Sequence, residues 1–359
     1  MTIIGLMSGT SLDGLDIAFC QFSETNSQRF EILYAQTAPY SAAWQARLKA
    51  LPQSDAFTFA LTDREFGAYL GQAIKRFCQK YEVKPQFVAS HGHTIFHQPA
   101  KALTVQIGHG AAIAAACGLP VVCDFRSLDV ALGGQGAPLV PIGDALLFGQ
   151  YTFCLNLGGI ANISFQQHST NKRIAFDICP VNMVLNAWAE RLGKAYDKDG
   201  LWAAEGQVNA DLLAKLNALD FYKKSYPKSL GREWVETTVL PLLEAANLSE
   251  KDILATCSAH IAEQIAAVIK AADVLPTTSP KTVLVTGGGT FNKHLISQLQ
   301  EKLTDTAQVI VPNEKLINYK EALIFAFLGK LRAEEKVNCL RSVTGASADN
   351  IGGAVYLSR

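Results

Sequence analysis

Two glycine turns and one aspartate at a strand end are the features of this 359-residue chain best suited to chemistry. The first turn is Ser8-Gly9-Thr10-Ser11-Leu12-Asp13-Gly14, continued by Leu15 and Asp16. Glycine lets the main chain approach a ligand closely, so this turn can aim backbone N–H groups and hydroxyls at a phosphate. An ordinary polar β-turn has the same composition. The second turn, Asn156-Leu157-Gly158-Gly159-Ile160-Ala161-Asn162, repeats the pattern of strand, glycine turn and strand with amides added. A third glycine run, Gly287-Gly288-Gly289, joins the apolar segment 281–286 to a helix expected from about 291. There the helix N-terminus favours an anion, or the chain merely packs tightly. No Walker or GxGxxG motif is present.

Asp177 ends an apolar run and precedes Ile178-Cys179-Pro180-Val181-Asn182. A carboxylate at the C-terminal edge of a strand stands where open α/β sheets bind ligands. As a general base it would contribute roughly 10²–10⁴ in rate; as a helix cap it would contribute none. His91, His93 and His97 alternate, but no cysteine or carboxylate at ligand spacing completes a zinc site, which leaves substrate contact or structural hydrogen bonds. In Asp124-Phe125-Arg126 the guanidinium fork suits a carboxylate or phosphate, or closes an ion pair. Glu321 opens an otherwise apolar helix and is either a partner of the helix dipole or a ligand contact.

The elements that must position these groups follow from periodicity. Residues 2 to 37 read as three strands in a meander, and residues 41–51 and 63–81 turn to helical spacing with Phe66, Leu70, Ile74 and Phe77 on one stripe. Strands are expected at 87–91, 104–107 and 120–124, with a helix at 110–117. The glycine-rich connection 133–138 is taken as the domain boundary. A second meander (152–177) opens the other half, followed by helices near 180–192, 207–218, 232–246 and 250–273. A buried strand at 281–286, helices at 291–303 and 319–333 around a short strand at 309–311, and a short closing helix near 350–356 complete the chain. The expectation is a duplicated α/β chain of two domains with a central cleft: residues 1–132 closed by the segment 340–359, and residues 133–339.

Apolar residues make up 49% and charged residues 18%, enough to fill large cores. Lys plus Arg equals Asp plus Glu at 32 each, so no net field draws nucleic acid or an anionic membrane. The N-terminus has no basic leader, and eight scattered cysteines without CxxC pairs suit reduced thiols, so a cytoplasmic location is expected.

Together these segments resemble the anhydro-N-acetylmuramic acid kinases of the actin, Hsp70 and sugar-kinase superfamily. The likeness runs through GLMSGTSLDGLD (5–16), SHGHT (90–94), PVVCDFRSLDVALGGQGAPLVP (120–141), NLGGIANIS (156–164), Phe176-Asp177, VTGGGTFN (285–292) and Glu321-Ala322. It implies two actin-like, ribonuclease H-like domains that bind ATP and Mg2+ and phosphorylate 1,6-anhydro-N-acetylmuramic acid in cell-wall recycling. Asp177 would be the base that activates water. Thr94, His93, Arg126 and Glu321 would face the sugar, Arg126 its lactyl carboxylate. Gly9, Thr10, Ser11, Leu12, Asp13, Gly14, Leu15 and Asp16, with Gly158, Gly159 and Gly287 to Gly289, would bind ATP. Asp13 would reach the metal through water, and the chain could pair as a homodimer.

The chain departs from the family's pattern in three places. FDTGPGN becomes Phe176-Asp177-Ile178-Cys179-Pro180-Val181-Asn182, SHGQT becomes SHGHT, and a commonly acidic position after Gly108 is His109. The bulk beside Asp177 leaves two alternatives: a kinase of the same fold for another amino sugar, or a nucleotide-binding sensor without catalysis.

Overall fold

Alternating apolar residues build a meander at the start of the chain, and the structure, a computed structural model, describes every residue except Thr10, Ser11, Glu24, Ser27, residues 277–279 and Arg359. The chain divides into two compact units, residues 1–149 with 319–359, and residues 150–318.

In the first unit β1 (Thr2–Ser8), β2 (Gly14–Phe22) and β3 (Phe30–Pro39) pair antiparallel, and β1 pairs parallel with β4 (Phe87–Gln98) on its other side. β5 (Leu103–Ile107) folds back on the outer half of β4, while β6 (Val121–Cys123) runs parallel to its inner half. The sheet order is β12-β6-β4-β1-β2-β3, where β12 is Ala354–Tyr356. Beneath it lies the helix Ala56–Tyr81, capped by Asp55, whose Oδ1 accepts from Thr58 N at 2.9 Å. Its stripe of Phe66, Leu70, Ile74 and Phe77 is fully buried, as the 3.6-residue spacing requires.

The second unit repeats the plan. β7 (Phe153–Leu157), β8 (Ile160–Gln167) and β9 (Lys172–Pro180) form the meander, and β10 (Lys281–Thr286) and β11 (Ala307–Ile310) add parallel to β7 in the order β11-β10-β7-β8-β9. Both sheets therefore place the third, second, first, fourth and fifth strands of the shared plan side by side, with the same directions. This agreement in topology is firmer support for duplication than the divergent sequences of the halves. The helix Glu250–Ala271 is long and apolar enough to cross a membrane by length and composition, but 72% of that stretch is buried inside the protein, against the meander of its own unit.

The structure departs from the sequence reading in two places. The expected closing helix is instead a strand, β12 (Ala354–Tyr356), antiparallel to β6. Gly352 and Gly353 stop a helix from starting there, Gly353 having φ +118°, and β6 offers an unpaired edge. The divide between units falls after Gly149 rather than after Leu132, and the chain re-enters the first unit at Tyr319 rather than at 340. The helix Val140–Leu147 is held in the first unit by the buried ion pair Lys320 Nζ to Asp144 Oδ1 (2.7 Å). Phe148 meets Phe30 edge to face there as well. The helix Glu314–Ala333 breaks at Tyr319, and its apolar run from Ala322 to Leu328 is buried.

Candidate functional site

The β1–β2 hairpin of the first unit carries the first group of candidates. Gly9 O accepts from Leu12 N at 3.3 Å, Leu12 takes a left-handed φ of +61°, and Asp13 Oδ1 accepts from Gly14 N at 3.0 Å. Leu12 and Leu15 send their side chains into the apolar core, which leaves their main chain as what a ligand can meet. Thr10 and Ser11 lie outside the described residues.

Ser8, at the end of β1, accepts from Tyr40 OH at 2.7 Å, and its Oγ lies 2.9 Å from His93 Nδ1. With Tyr40 donating, the Ser8 hydroxyl donates to the imidazole. His93 is buried against Phe66, and burial lowers its pKa, so it is a neutral brace between β4 and the hairpin. The structure thus gives His93 a partner in the core rather than an open face toward a sugar.

Asp16 feels two other carboxylates of this unit. Asp16 is pushed up to about 6, chiefly by burial, with Asp13 and Glu321 adding to the rise and the 2.6 Å bond from Thr37 Oγ1 opposing it. Glu321 is reached by solvent, yet the protein mass around it raises its carboxyl, while Lys320 and Arg126 pull the other way. A half-buried carboxylate pressed by like charges is the kind of arrangement that a cation relieves.

Arg126 is pushed down to about 10 by burial, with Glu321, Cys339 and Asp129 working against that change. Its Nη2 (2.9 Å) and Nε (3.2 Å) donate to His91 Nε2, and its Nη1 donates to Gly136 O at 2.5 Å. His91 donates in turn from Nδ1 to Gly92 O (2.9 Å), which fixes its tautomer; burial first and Arg126 second hold it down to about 3. Thr94 Oγ1 accepts from Gln106 Nε2 at 3.3 Å. Gln106, hydrogen-bonded to Thr94, and His91, hydrogen-bonded to Arg126, both line an open cavity of about 260 Å³ with Asp63, His109, Asp124 and Tyr356. Among the described residues no cluster of three or more His, Cys, Asp or Glu could hold a metal unaided.

In the second unit the strand register assembles a polar row. Thr286 lies opposite Asn156, Asn156 opposite Asn162, and Asn162 opposite Asp177, so β10, β7, β8 and β9 each place one polar side chain on the same face. The bulge between Ala161 and Asn162 creates that alignment. Burial raises the Asp177 carboxyl, opposed by the Leu230 N–H that donates to its Oδ2 at 2.9 Å. Gly158 O and Gly159 O accept from the first amides of the helix Asn182–Arg191, so that helix end is closed by the hairpin itself. Gly287 has φ +84°, and a Cβ there would press on Asn156 Oδ1, which makes glycine a requirement at this turn.

Two departures from the family pattern are absorbed by packing. Ile178, Cys179 and Val181 are buried in the core of the second unit, so their bulk is spent inside. His109 caps the helix Gly110–Cys117 as an acidic residue would, its Nδ1 accepting from Ala111 N and Arg64 Nη1, both at 3.2 Å.

The segment Tyr226–Gly231 escaped sequence reading. Lys228 O accepts from Asp177 N at 3.3 Å, Leu230 N grips the carboxylate, and the Lys228 ammonium lies 4.7 Å from the Phe221 ring centroid. Its proline and glycine signalled a loop, but nothing local indicated which strand it would meet.

A model of the anhydro-N-acetylmuramic acid kinase family matches residues 1–358. The chain is similar to the anhydro-N-acetylmuramic acid kinase of Pasteurella multocida, 37% identical over 372 residues and covering 99% of this chain and 97% of that one. It is similar also to that of Shewanella woodyi, 35% identical over 369 residues and 98% of each chain. Among solved structures it is similar to the activator of 2-hydroxyisocaproyl-CoA dehydratase from Clostridium difficile with bound ADPNP, with a TM-score of 0.44, 11% identity and coverage of 93% of this chain and 97% of that one. It is similar to the ROK hexokinase from Thermus thermophilus with a TM-score of 0.39, 12% identity and coverage of 92% and 100%.

Proposed function

The chain belongs to the anhydro-N-acetylmuramic acid kinase family, and we propose that it uses ATP to open and phosphorylate 1,6-anhydro-N-acetylmuramic acid, with Asp177 as the base. The observation that carries this reading is Asp177 itself: a half-buried carboxylate with a raised pKa, at the end of a polar cross-strand row and aimed by one backbone amide. A base needs an affinity for protons above that of a free carboxylate, and burial supplies it.

In the proposed reaction Asp177 takes a proton from water as the water oxygen bonds to the anomeric carbon. The bond from that carbon to the bridging oxygen breaks. The freed 6-oxygen then takes the γ-phosphoryl group, and ADP leaves. Arg126 offers its charge to the lactyl carboxylate, and Thr94 and Glu321 bind hydroxyl and amide groups of the sugar. The hairpin amides about Gly9–Gly14 and the turns at Gly158–Gly159 and Gly287–Gly289 hold the phosphates and nucleotide. The residues fit a magnesium ion, because burial first and the neighbouring Asp13 and Glu321 carboxylates after it disfavour the charge on Asp16, a cost that a cation would relieve. When bound, Mg2+ would neutralise phosphate charge during transfer. The side chains supply position and charge rather than covalent help.

Burial of Ile178, Cys179 and Val181 supports this substrate over another amino sugar, since the altered residues do not reshape an open surface. The eight free cysteines, six of them buried, suit a reducing compartment such as the cytoplasm.

The test is ADP release with the anhydro sugar. Asp177→Asn is expected to lower kcat by about 10²-fold or more with the KM for ATP unchanged. An undiminished rate in that variant, or no turnover by the unaltered protein, would overturn the proposal.

A further inference from the structure

Asp129 is as deeply buried as any described ionisable group in the first unit, with none of its surface exposed, and among the described residues the hydrogen-bond donors at its carboxylate are all neutral. Its Oδ1 accepts from Thr344 Oγ1 (2.8 Å), Asn350 Nδ2 (2.9 Å) and Cys339 Sγ (3.1 Å). Its Oδ2 accepts from Gly136 N at 2.8 Å, and its own carbonyl oxygen accepts from Gly134 N at 2.9 Å. A buried carboxylate held by neutral donors is expensive to keep, and stability alone is served as well by apolar packing. The arrangement is informative because of what Gly136 does next: its carbonyl oxygen takes one arm of the Arg126 guanidinium at 2.5 Å. The other arm meets His91.

We propose that Asp129 is the positioning residue for Arg126. Its carboxylate pins the loop Gly133–Gly136 to the C-terminal segment Cys339–Asn350, so that Gly136 O and His91 Nε2 hold the guanidinium from two sides. The negative charge behind the loop also acts on Arg126 and helps keep it protonated despite its burial. The segment after residue 338, part of the stretch that re-enters the first unit at Tyr319, thereby has a part in substrate recognition as well as in packing. The inference rests on Arg126 reading the sugar's carboxylate, but only for its effect on substrate binding.

The experiment measures steady-state kinetics and the imidazole ¹⁵N signals of His91 in Asp129→Asn, Arg126→Ala and the double variant. Thr344→Val and Thr344→Ser serve as milder variants should Asp129→Asn fold poorly. In Asp129→Asn the KM for the sugar should rise about tenfold while kcat and the KM for ATP stay within about twofold. The same change on the Arg126→Ala background should add less than about twofold, because the two residues act as one unit. Thr344→Val should raise the sugar KM about threefold and Thr344→Ser should restore it.

The His91 Nε2 signal in Asp129→Asn should move toward its position in Arg126→Ala. A folded Asp129→Asn, or Thr344→Val in its place, with an unmoved His91 signal would overturn the positioning role. A moved signal with unchanged sugar KM in both Asp129→Asn and Arg126→Ala would uphold that role and overturn the contact of Arg126 with the sugar.

Discussion

At the scale of single residues, the proposed reaction turns on the protonation of two aspartates. In the proposed reaction Asp177 would act as a base only when deprotonated, and burial raises its carboxyl above the usual 3.8. The acid limb of the kcat profile is therefore expected above that value and should vanish with Asp177→Asn, as a pH series of initial rates will show. Asp16 carries the opposite consequence for stability. Its folded-state pKa of about 6 exceeds the unfolded value, so stability is fully present below pH 3.8 and declines as pH rises to about 6. Asp16→Asn keeps the oxygen that accepts from Thr37 and removes the charge. At pH 7.5 without magnesium it should raise stability by about 1 kcal/mol, allowing for partial exposure, while lowering activity. Urea denaturation and ADP release, measured side by side, check both signs.

At the scale of elements, close approach and local bracing hold these residues. A Cβ on Gly5 in β1 would run into the carbonyl oxygen of Ala322, in the helix turn beside Glu321. Gly5→Ala should destabilise by more than about 2 kcal/mol in equilibrium unfolding, because neither main chain can yield without disturbing the sheet. The strap Tyr226–Gly231 can be tested through its single amide. Leu230→Pro removes the donor to Asp177, so kcat should fall about tenfold and the acid limb should move to higher pH, whereas Leu230→Ala keeps the N–H and should leave both in place. Equal loss in the two variants would show that the leucine side chain matters and the amide does not.

At the scale of the whole molecule, two units of one topology each bring a glycine hairpin and a polar strand edge. A nucleotide that binds only the folded chain stabilises it by roughly 2.7 kcal/mol at a hundredfold excess over Kd. ATP with magnesium should therefore raise the melting temperature, and Asp177→Asn should retain that rise because the base does not hold the nucleotide. A scan without any rise in the unaltered protein would count against the phosphate role of the hairpins.

Sequence alone determined the meanders, the long helices, the glycine turns and the family, because periodicity and turn chemistry are local and the family pattern runs along nearly the whole chain. It also pointed to duplication, since the same order of strand types occurs twice. Tertiary structure alone decided the rest. The edge of β6 turned Ala354–Tyr356 into a strand, and the Lys320–Asp144 pair moved the boundary beyond Leu132. Burial of Ile178, Cys179 and Val181 explained a departure that looked disruptive when read along the chain. His93 proved to brace Ser8, and Leu230 and Asp129 gained roles that no spacing announces. His93 and Ser8 are 85 residues apart, Leu230 and Asp177 are 53 apart, and Asp129 and Thr344 are 215 apart, and only folding brings such groups within the 3 Å at which a hydrogen bond acts.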